Sequence, residues 1–168
     1  MNELFLLENW DQLAAIVPPF LARAGAAAVC GGLIGLEREL KGKPAGFRTN
    51  ILICLGSAMY MAAGLLVVNE GGEAASDPVR IAAQVVTGIG FIGAGCIIQQ
   101  RGRVVGLTTA ATIWVVAAIG LIAGAGFPIL AFIASAMVLI TLILLGAVET
   151  RFLDRIDTGD DYRNDGGA

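Results

Sequence analysis

Long apolar stretches alternate with short polar segments along this chain. The apolar stretches lie at about residues 20–36, 50–68, 79–98, 107–123 and 129–148. A membrane-spanning helix needs about 20 mainly apolar residues, and inside lipid a helix satisfies its backbone hydrogen bonds within one segment. The pattern therefore predicts an all-α, polytopic membrane helical bundle of about five transmembrane helices, within a transmembrane domain that covers residues 1–148.

The two ends of the chain differ from the apolar stretches. In residues 3–17, apolar side chains recur at helical spacing and acidic ones lie on another face, which predicts a short amphipathic helix at the membrane interface. Pro18 and Pro19 are expected to separate it from the first span. Residues 149–168 are polar and acidic and predict a cytoplasmic tail. Composition agrees, because 57% of the residues are hydrophobic and 15% are charged, against about 25% charged in soluble proteins.

The basic residues fall mainly on one side of the predicted membrane. Nine of the eleven Lys and Arg residues lie in the 37–49 segment, the 99–106 segment and the C-terminal tail. The opposite side has only Arg80, and Arg23 lies inside the first span. Since basic residues concentrate in cytoplasmic loops, this bias predicts a multi-pass protein with its N-terminus outside and its C-terminus in the cytoplasm.

The charged segment Glu37–Thr49 joins the first two spans. Glu37 and Lys41 have the i,i+4 spacing that favours a helix, so the first helix is expected to continue past the membrane surface and to stop before Pro44. The candidate functional residues at this end of the membrane are Glu37, Arg38, Glu39, Arg48, Thr49, Thr108 and Thr109. We predict that the acids and Arg48 meet the two threonines that begin the fourth span. The alternative is that the segment is only a solvated helix end.

A polar stripe marks the third span. Its members recur every three or four residues and so share one helical face: Asp77, Arg80, Gln84 and Thr87. One interpretation is structural, with Asp77 capping the helix, Arg80 reaching the surface and the other two bonding a neighbouring helix. The other is that the stripe lines a polar cavity, because ionisable residues within spans frequently mark ion or substrate paths. Arg23 lies at a similar depth, and we expect it to pair with Asp77.

Glycines are concentrated within the spans. Gly88, Gly90 and Gly93 match the GxGxxG spacing of a dinucleotide-binding loop, but that fingerprint requires a preceding strand and a soluble βαβ unit. Closely spaced small residues in lipid instead let helices approach one another. The glycines assigned to helix packing are Gly31, Gly35, Gly88, Gly90, Gly93 and Gly95.

Catalytic and cofactor chemistry has little support in the sequence. The chain has no histidine, and its three cysteines lie in apolar runs without a CxxC pair, so neither a metal site nor a redox motif is predicted. No nucleophile–base pair and no phosphate-binding loop occurs in a suitable context. We therefore expect no enzymatic activity, no cofactor and no nucleic-acid partner.

Three long blocks follow one another along the chain: GGLIGLERELKGKPAGFRTNILICLGS, DPVRIAAQVVTGIGFIGAGCII and VVGLTTAATIWVVAAIGLIAGAG. In this order they resemble the membrane domain of the MgtC/SapB family, over about residues 20–148. The resemblance implies a helical protein of the bacterial inner membrane, associated with magnesium limitation, acid stress and survival inside host cells. Members of this family are regarded as modulators of other membrane proteins, including ATP synthase. Longer members add a cytoplasmic domain after the last span, and regulation through such a domain is not carried over to this chain.

Two functional hypotheses follow from these features. The first is a non-enzymatic modulator of a partner membrane protein, such as ATP synthase or a cation transporter, in magnesium limitation, acid stress or virulence. The alternative is a small ion channel or transporter for Mg²⁺ or a monovalent cation, with a polar path lined by spans one, three and four. The lipid bilayer surrounds the protein in either case, and the Gly-rich helix faces predict a homo-oligomer, with a homodimer favoured.

Overall fold

Helices dominate the fold. The computed structural model describes residues 10–71, 77–100 and 103–160. The helices are α1 (Trp10–Leu40), α2 (Phe47–Gly71), α3 (Pro78–Gly95), α4 (Leu107–Gly124) and α5 (Pro128–Asp160). Within the described residues, five helical stretches are long and apolar enough to cross a membrane: Gln12–Leu40, Phe47–Val68, Pro78–Gly95, Leu107–Gly124 and Pro128–Val148. These stretches confirm the predicted all-α, polytopic bundle.

The first helix differs from its prediction. α1 continues without a break through Pro18 and Pro19, so the two prolines do not separate an interfacial helix from the first span. A proline inside a helix removes one backbone hydrogen bond, but in lipid a chain that left the helix would expose more unpaired backbone groups. Residues 3–9 of the predicted interfacial helix lie outside the described residues.

A short β-hairpin follows α3, where the sequence pattern extended the third span to Ile98. β1 (Ile98–Gln100) pairs antiparallel with β2 (Arg103–Val105), and Ile98 lies opposite Val105. Gly106 then begins α4 with a left-handed backbone, φ +95°. A side chain at Gly106 would overlap the Cys96 carbonyl group, so this turn requires glycine.

The core of the bundle lies around α4. This helix packs against each of the other four helices, and ten of its 18 residues are buried. The largest fully buried apolar side chains come from three helices: Ile34, Cys30, Cys54, Ile113, Val116 and Ile119. The helix at the centre of the bundle is therefore also the most completely enclosed one.

Glycines bring α1 and α4 close to two sides of α2. A Cβ atom at Gly31 would lie 2.5 Å from the Asn50 carbonyl oxygen, and one at Gly35 would lie 2.8 Å from the Phe47 Cα atom. On the other side, a Cβ atom at Gly120 would overlap the Cys54 carbonyl oxygen. In lipid, such small residues allow the backbone-to-backbone contact that holds helices together.

Four of the six glycines assigned to packing lie in α3, and they behave differently. Gly93 is close to α4, since a Cβ atom there would lie 3.6 Å from the Ala110 Cβ atom. At Gly88, Gly90 and Gly95 a Cβ atom would meet nothing within 4 Å, so these three do not pack against another described helix of this chain. The reason is that α3 buries only Ile89 and Gly93 and leaves most of its surface exposed.

Candidate functional site

Charged side chains organise the junction between α1 and α2. Glu37 and Lys41 form an ion pair with 2.7 Å between Oε1 and Nζ, as the i,i+4 spacing predicts. Glu39 Oε2 accepts a hydrogen bond from the Phe47 backbone N–H at 2.8 Å. That N–H belongs to the first turn of α2, where backbone donors lack helical partners, so Glu39 caps the second helix from the end of the first.

Arg38 lies at the buried side of the same junction. It is only 4% exposed, and its Nη2 donates to Thr109 Oγ1 of α4 at 2.8 Å. Its Nε has no partner among the described residues. Taking a guanidinium out of water costs free energy that hydrogen bonds must offset. The Arg38–Thr109 bond offsets part of this cost and connects the α1–α2 junction to the start of α4.

Asn50 completes this group, which we call the junction cluster: Glu37, Arg38, Glu39, Asn50 and Thr109. Asn50 is fully buried, and its Nδ2 donates to the carbonyl oxygens of Ala45 and Gly46 in the preceding loop. Within the described part of the chain, Asn50 Oδ1 and Glu37 Oε2 are buried acceptors without a partner, as Arg38 Nε is a buried donor without one. Since buried polar groups are normally paired, these atoms have capacity for water or a ligand.

The predicted contacts of the acids and Arg48 with Thr108 and Thr109 are not observed among the residues that the structure describes. Thr109 accepts its hydrogen bond from Arg38, Glu37 pairs with Lys41, and Glu39 accepts from the Phe47 backbone N–H. Arg48 lies on the exposed side of the first turn of α2, whereas residue 38 shares the buried face of α1 with Ile34. Thr108 is exposed, and its carbonyl oxygen accepts from Thr112 within α4.

At the opposite end of the bundle, Arg23 and Asp77 do not form the expected pair. Arg23 Nη1 donates to the Gly124 carbonyl oxygen at 3.4 Å, close to the α4–α5 turn. Asp77 Oδ1 accepts from the Val79 backbone N–H at 2.9 Å and caps α3. The pairing hypothesis is therefore wrong, because α1 packs beside α2, α4 and α5, whereas α3 packs on α4 and α2.

A lateral groove lies between residues 49–60 of α2 and residues 80–92 of α3. Its volume is about 860 Å³. Its polar lining consists of Thr49, Ser57, Tyr60, Arg80 and Gln84, and the rest of the lining is apolar. From the predicted polar stripe, Arg80 and Gln84 thus face this groove. Thr87 does not line it, and its hydroxyl donates to the Ala83 carbonyl oxygen of the same helix.

Several structurally important residues are not among the predicted candidates. Asn50 is the first residue of the predicted second span, where a buried amide is unusual enough to be a signal. Gly120 and Gly124 have the small-xxx-small spacing that predicts helix packing, and a Cβ atom at Gly124 would lie 2.7 Å from the Ala58 Cα atom. Tyr60 carries no comparable signal, because its place in the groove depends on the position of α3.

Comparison with known proteins identifies the family of this chain. The MgtC family model matches residues 25–151. A protein of Escherichia coli (strain K12) named "Putative magnesium transporter YhiD" is 45% identical over 139 residues, which cover 81% of this chain and 65% of that protein. "Protein MgtC" of Brucella abortus (strain 2308) is 47% identical over 100 residues, covering 60% of this chain and 40% of the relative.

A third relative comes from another bacterium. "Protein SapB" of Bacillus subtilis (strain 168) is 42% identical over 130 residues, covering 75% of this chain and 56% of that protein. The chain thus spans less than two thirds of the length of each of these relatives. No solved structure matches it. Since the family model covers most of the chain, including all five membrane-spanning helices in part or whole, this protein belongs to the MgtC family.

Proposed function

We propose that this protein is a non-enzymatic modulator of a partner protein in the bacterial inner membrane, active under ionic or acid stress. In this proposal the N-terminus lies outside and the junction cluster faces the cytoplasm, as the distribution of basic residues predicts. The relatives' names do not describe such a role, and the proposal rests on the geometry of the bundle.

The apolar interior of the bundle is the observation that supports the proposal. Among the described residues, Arg38 is the only charged side chain that is buried, and it lies at one end of the core. Between it and Arg23 at the other end, α1 buries Ala27, Cys30 and Ile34 against α2 and α4. An ion needs a polar route to cross lipid, because a charge in an apolar interior is costly. A closely packed apolar core is better suited to a protein that acts on a neighbour.

The face of α3 that contains Gly90 supplies a surface for such a neighbour. Ala83, Thr87, Gly90 and Ala94 recur on one side of the helix, and all four are exposed in the monomer. Small residues at this spacing let a second membrane helix approach closely. The same face suits a partner protein or a second copy of this chain, so we also expect a homodimer.

Affinity purification in mild detergent tests the proposal. The tagged full-length protein, crosslinked in cells starved of magnesium, is expected to retain a specific membrane protein that mass spectrometry identifies. Gly90→Leu should lose that protein, because the new side chain covers the small-residue face. Gly25→Leu is the matched control, since a Cβ atom at Gly25 would also meet nothing within 4 Å but this residue lies on α1. Recovery of no membrane protein, or equal recovery by both variants, contradicts the proposal.

Cation transport is the second candidate, favoured by the polar lining of the groove between α2 and α3. Thr49, Tyr60 and Arg80 lie at successive depths there, and one relative is named as a putative magnesium transporter. Purified protein in liposomes is expected to give no Mg²⁺ or monovalent-cation flux above protein-free liposomes. A flux that Asp77→Asn abolishes would replace the modulator by a transporter.

A further inference from the structure

The groove between α2 and α3 has the length of one bilayer leaflet. Ile81 lies level with Gly64, because a side chain on Gly64 would overlap it, and the lining of α3 continues from Arg80 down to Ile92. These 12 steps correspond to about 18 Å along the helix axis. Half of the hydrocarbon core of a bilayer is about 15 Å. An acyl chain that enters beside Arg80 would therefore fit along the groove.

Missing side chains keep this groove open. Gly56 of α2 and Gly88 of α3 both line it, and a Cβ atom on either would meet nothing within 4 Å. Elsewhere in the bundle, glycines such as Gly31 are in close contact with a neighbouring helix. α3 packs mainly on α4, where a Cβ atom at Gly93 would lie 3.6 Å from the Ala110 Cβ atom, whereas its other buried residue, Ile89, lines the groove. The space is thus built by the packing of α3 and lies open to lipid.

Opposite charges lie one helical turn apart at the entrance of the groove. The Arg80 side chain is exposed and has no hydrogen bond or ion pair within the described residues. Asp77 precedes it by three residues, and its Oδ1 is the carboxylate oxygen that accepts from the Val79 N–H. A guanidinium at the membrane interface binds phosphate well, and a carboxylate binds an ammonium group. The two side chains together complement a headgroup that carries both charges.

We propose that this groove binds a zwitterionic, amine-headed phospholipid, with its phosphate on Arg80, its ammonium group on Asp77 and an acyl chain between Gly56 and Gly88. An anionic phospholipid would match Arg80 but would leave its remaining headgroup beside the Asp77 carboxylate. The lipid site lies on the groove side of α3, whereas the partner surface proposed above lies on the face that contains Gly90. The two proposals are therefore independent.

Native mass spectrometry of the purified full-length chain, titrated with phosphatidylethanolamine, tests the headgroup contact. Arg80→Gln is expected to weaken lipid binding roughly tenfold, the effect of losing one charge-assisted contact. Lys43→Gln removes the same charge from an exposed residue of the α1–α2 loop and should bind as the parent protein does. Phosphatidylglycerol should bind the parent more weakly than phosphatidylethanolamine, and Asp77→Asn should remove that preference.

A second pair of variants tests the acyl-chain contact. Gly88→Leu fills the groove and should lower lipid binding, whereas Gly90→Leu, two residues away on the other face, should not. Circular dichroism and size-exclusion profiles identical to the parent show that each variant is folded. The proposal is overturned if folded Arg80→Gln or Gly88→Leu retains full binding, or if phosphatidylglycerol binds as well as phosphatidylethanolamine. It is also overturned if cysteines placed at Gly56 in two copies crosslink efficiently, because a second copy would then fill the groove.

Discussion

The hydrogen bond between Arg38 and Thr109 makes a quantitative prediction about the stability of the bundle. Thr109→Val replaces the hydroxyl by a methyl group of similar size, so it creates no cavity and leaves the buried guanidinium without its 2.8 Å acceptor. Hydrogen bonds to charged groups contribute about 1.5–3 kcal/mol, and an unpaired buried charge costs at least as much. We expect Thr109→Val to lower the free energy of unfolding by about 1.5–3 kcal/mol.

A second substitution, at Arg38, should restore stability that Thr109→Val removes. When both members of a buried polar pair become apolar, the change is often neutral or stabilising, because no group is left unpaired. Arg38→Met with Thr109→Val should therefore recover most of the stability that Thr109→Val alone loses. Thr112→Val is the matched control, since this threonine is also buried but donates only to the Thr108 carbonyl oxygen of its own helix. Its cost should be clearly smaller.

Thermal unfolding in one detergent measures the parent protein and these variants, together with Arg38→Met alone. For a chain of this size, about 1 kcal/mol shifts the Tm by roughly 2–4 °C. Thr109→Val is thus expected to lower the Tm by about 3–12 °C. Equal effects of Thr109→Val and Thr112→Val would contradict a stabilising Arg38–Thr109 bond. So would a double variant that is less stable than Thr109→Val by the full cost of Arg38→Met, because additive effects mean that the two side chains do not interact.

Two further predictions use the same thermal assay. Gly120→Ala should destabilise the fold by about 1–3 kcal/mol, because the new methyl group overlaps the Cys54 carbonyl oxygen. Gly25→Ala, where a Cβ atom would meet nothing within 4 Å, should be neutral or stabilising by up to about 1 kcal/mol. Equal Tm values for the two variants would contradict the close α2–α4 contact. Glu39→Ala should lower the free energy of unfolding by about 0.5–2 kcal/mol through loss of the cap on the Phe47 N–H. Glu39→Gln keeps an acceptor and should lose less. An equal loss of stability in both variants would mean that the charge of Glu39, not its hydrogen bond, matters.

Sequence patterns predict the spans of this protein well, because a backbone in lipid has few alternatives to a helix. The apolar pattern predicts the fourth span at about residues 107–123, and α4 covers Leu107–Gly124. The ion pair of Glu37 with Lys41 follows from local spacing. Each of these features depends on a single segment. Local chemistry and the absence of water around the backbone are enough to define it.

Contacts between helices cannot be predicted in the same way. A similar depth in the membrane suggests that Arg23 and Asp77 pair, but depth does not say which helices are neighbours. The same limit applies to Thr109, whose partner is Arg38 and not Arg48. Position 38 reaches α4 because its face of α1 is buried, and that face is set by the glycine contacts with α2. The angular position of a helix in lipid has no hydrophobic signal as strong as in water.

Glycine illustrates how one residue type can serve two purposes in this fold. At Gly31 and Gly120 the missing side chain lets two backbones touch, so stability depends on its absence. At Gly56 and Gly88 the missing side chain leaves space that no described residue of the chain fills. A larger residue in the first pair should therefore destabilise the bundle, whereas one in the second pair should change only what the protein binds. This division assigns the stability of the bundle to α1, α2 and α4, and the proposed binding surfaces to the two faces of α3.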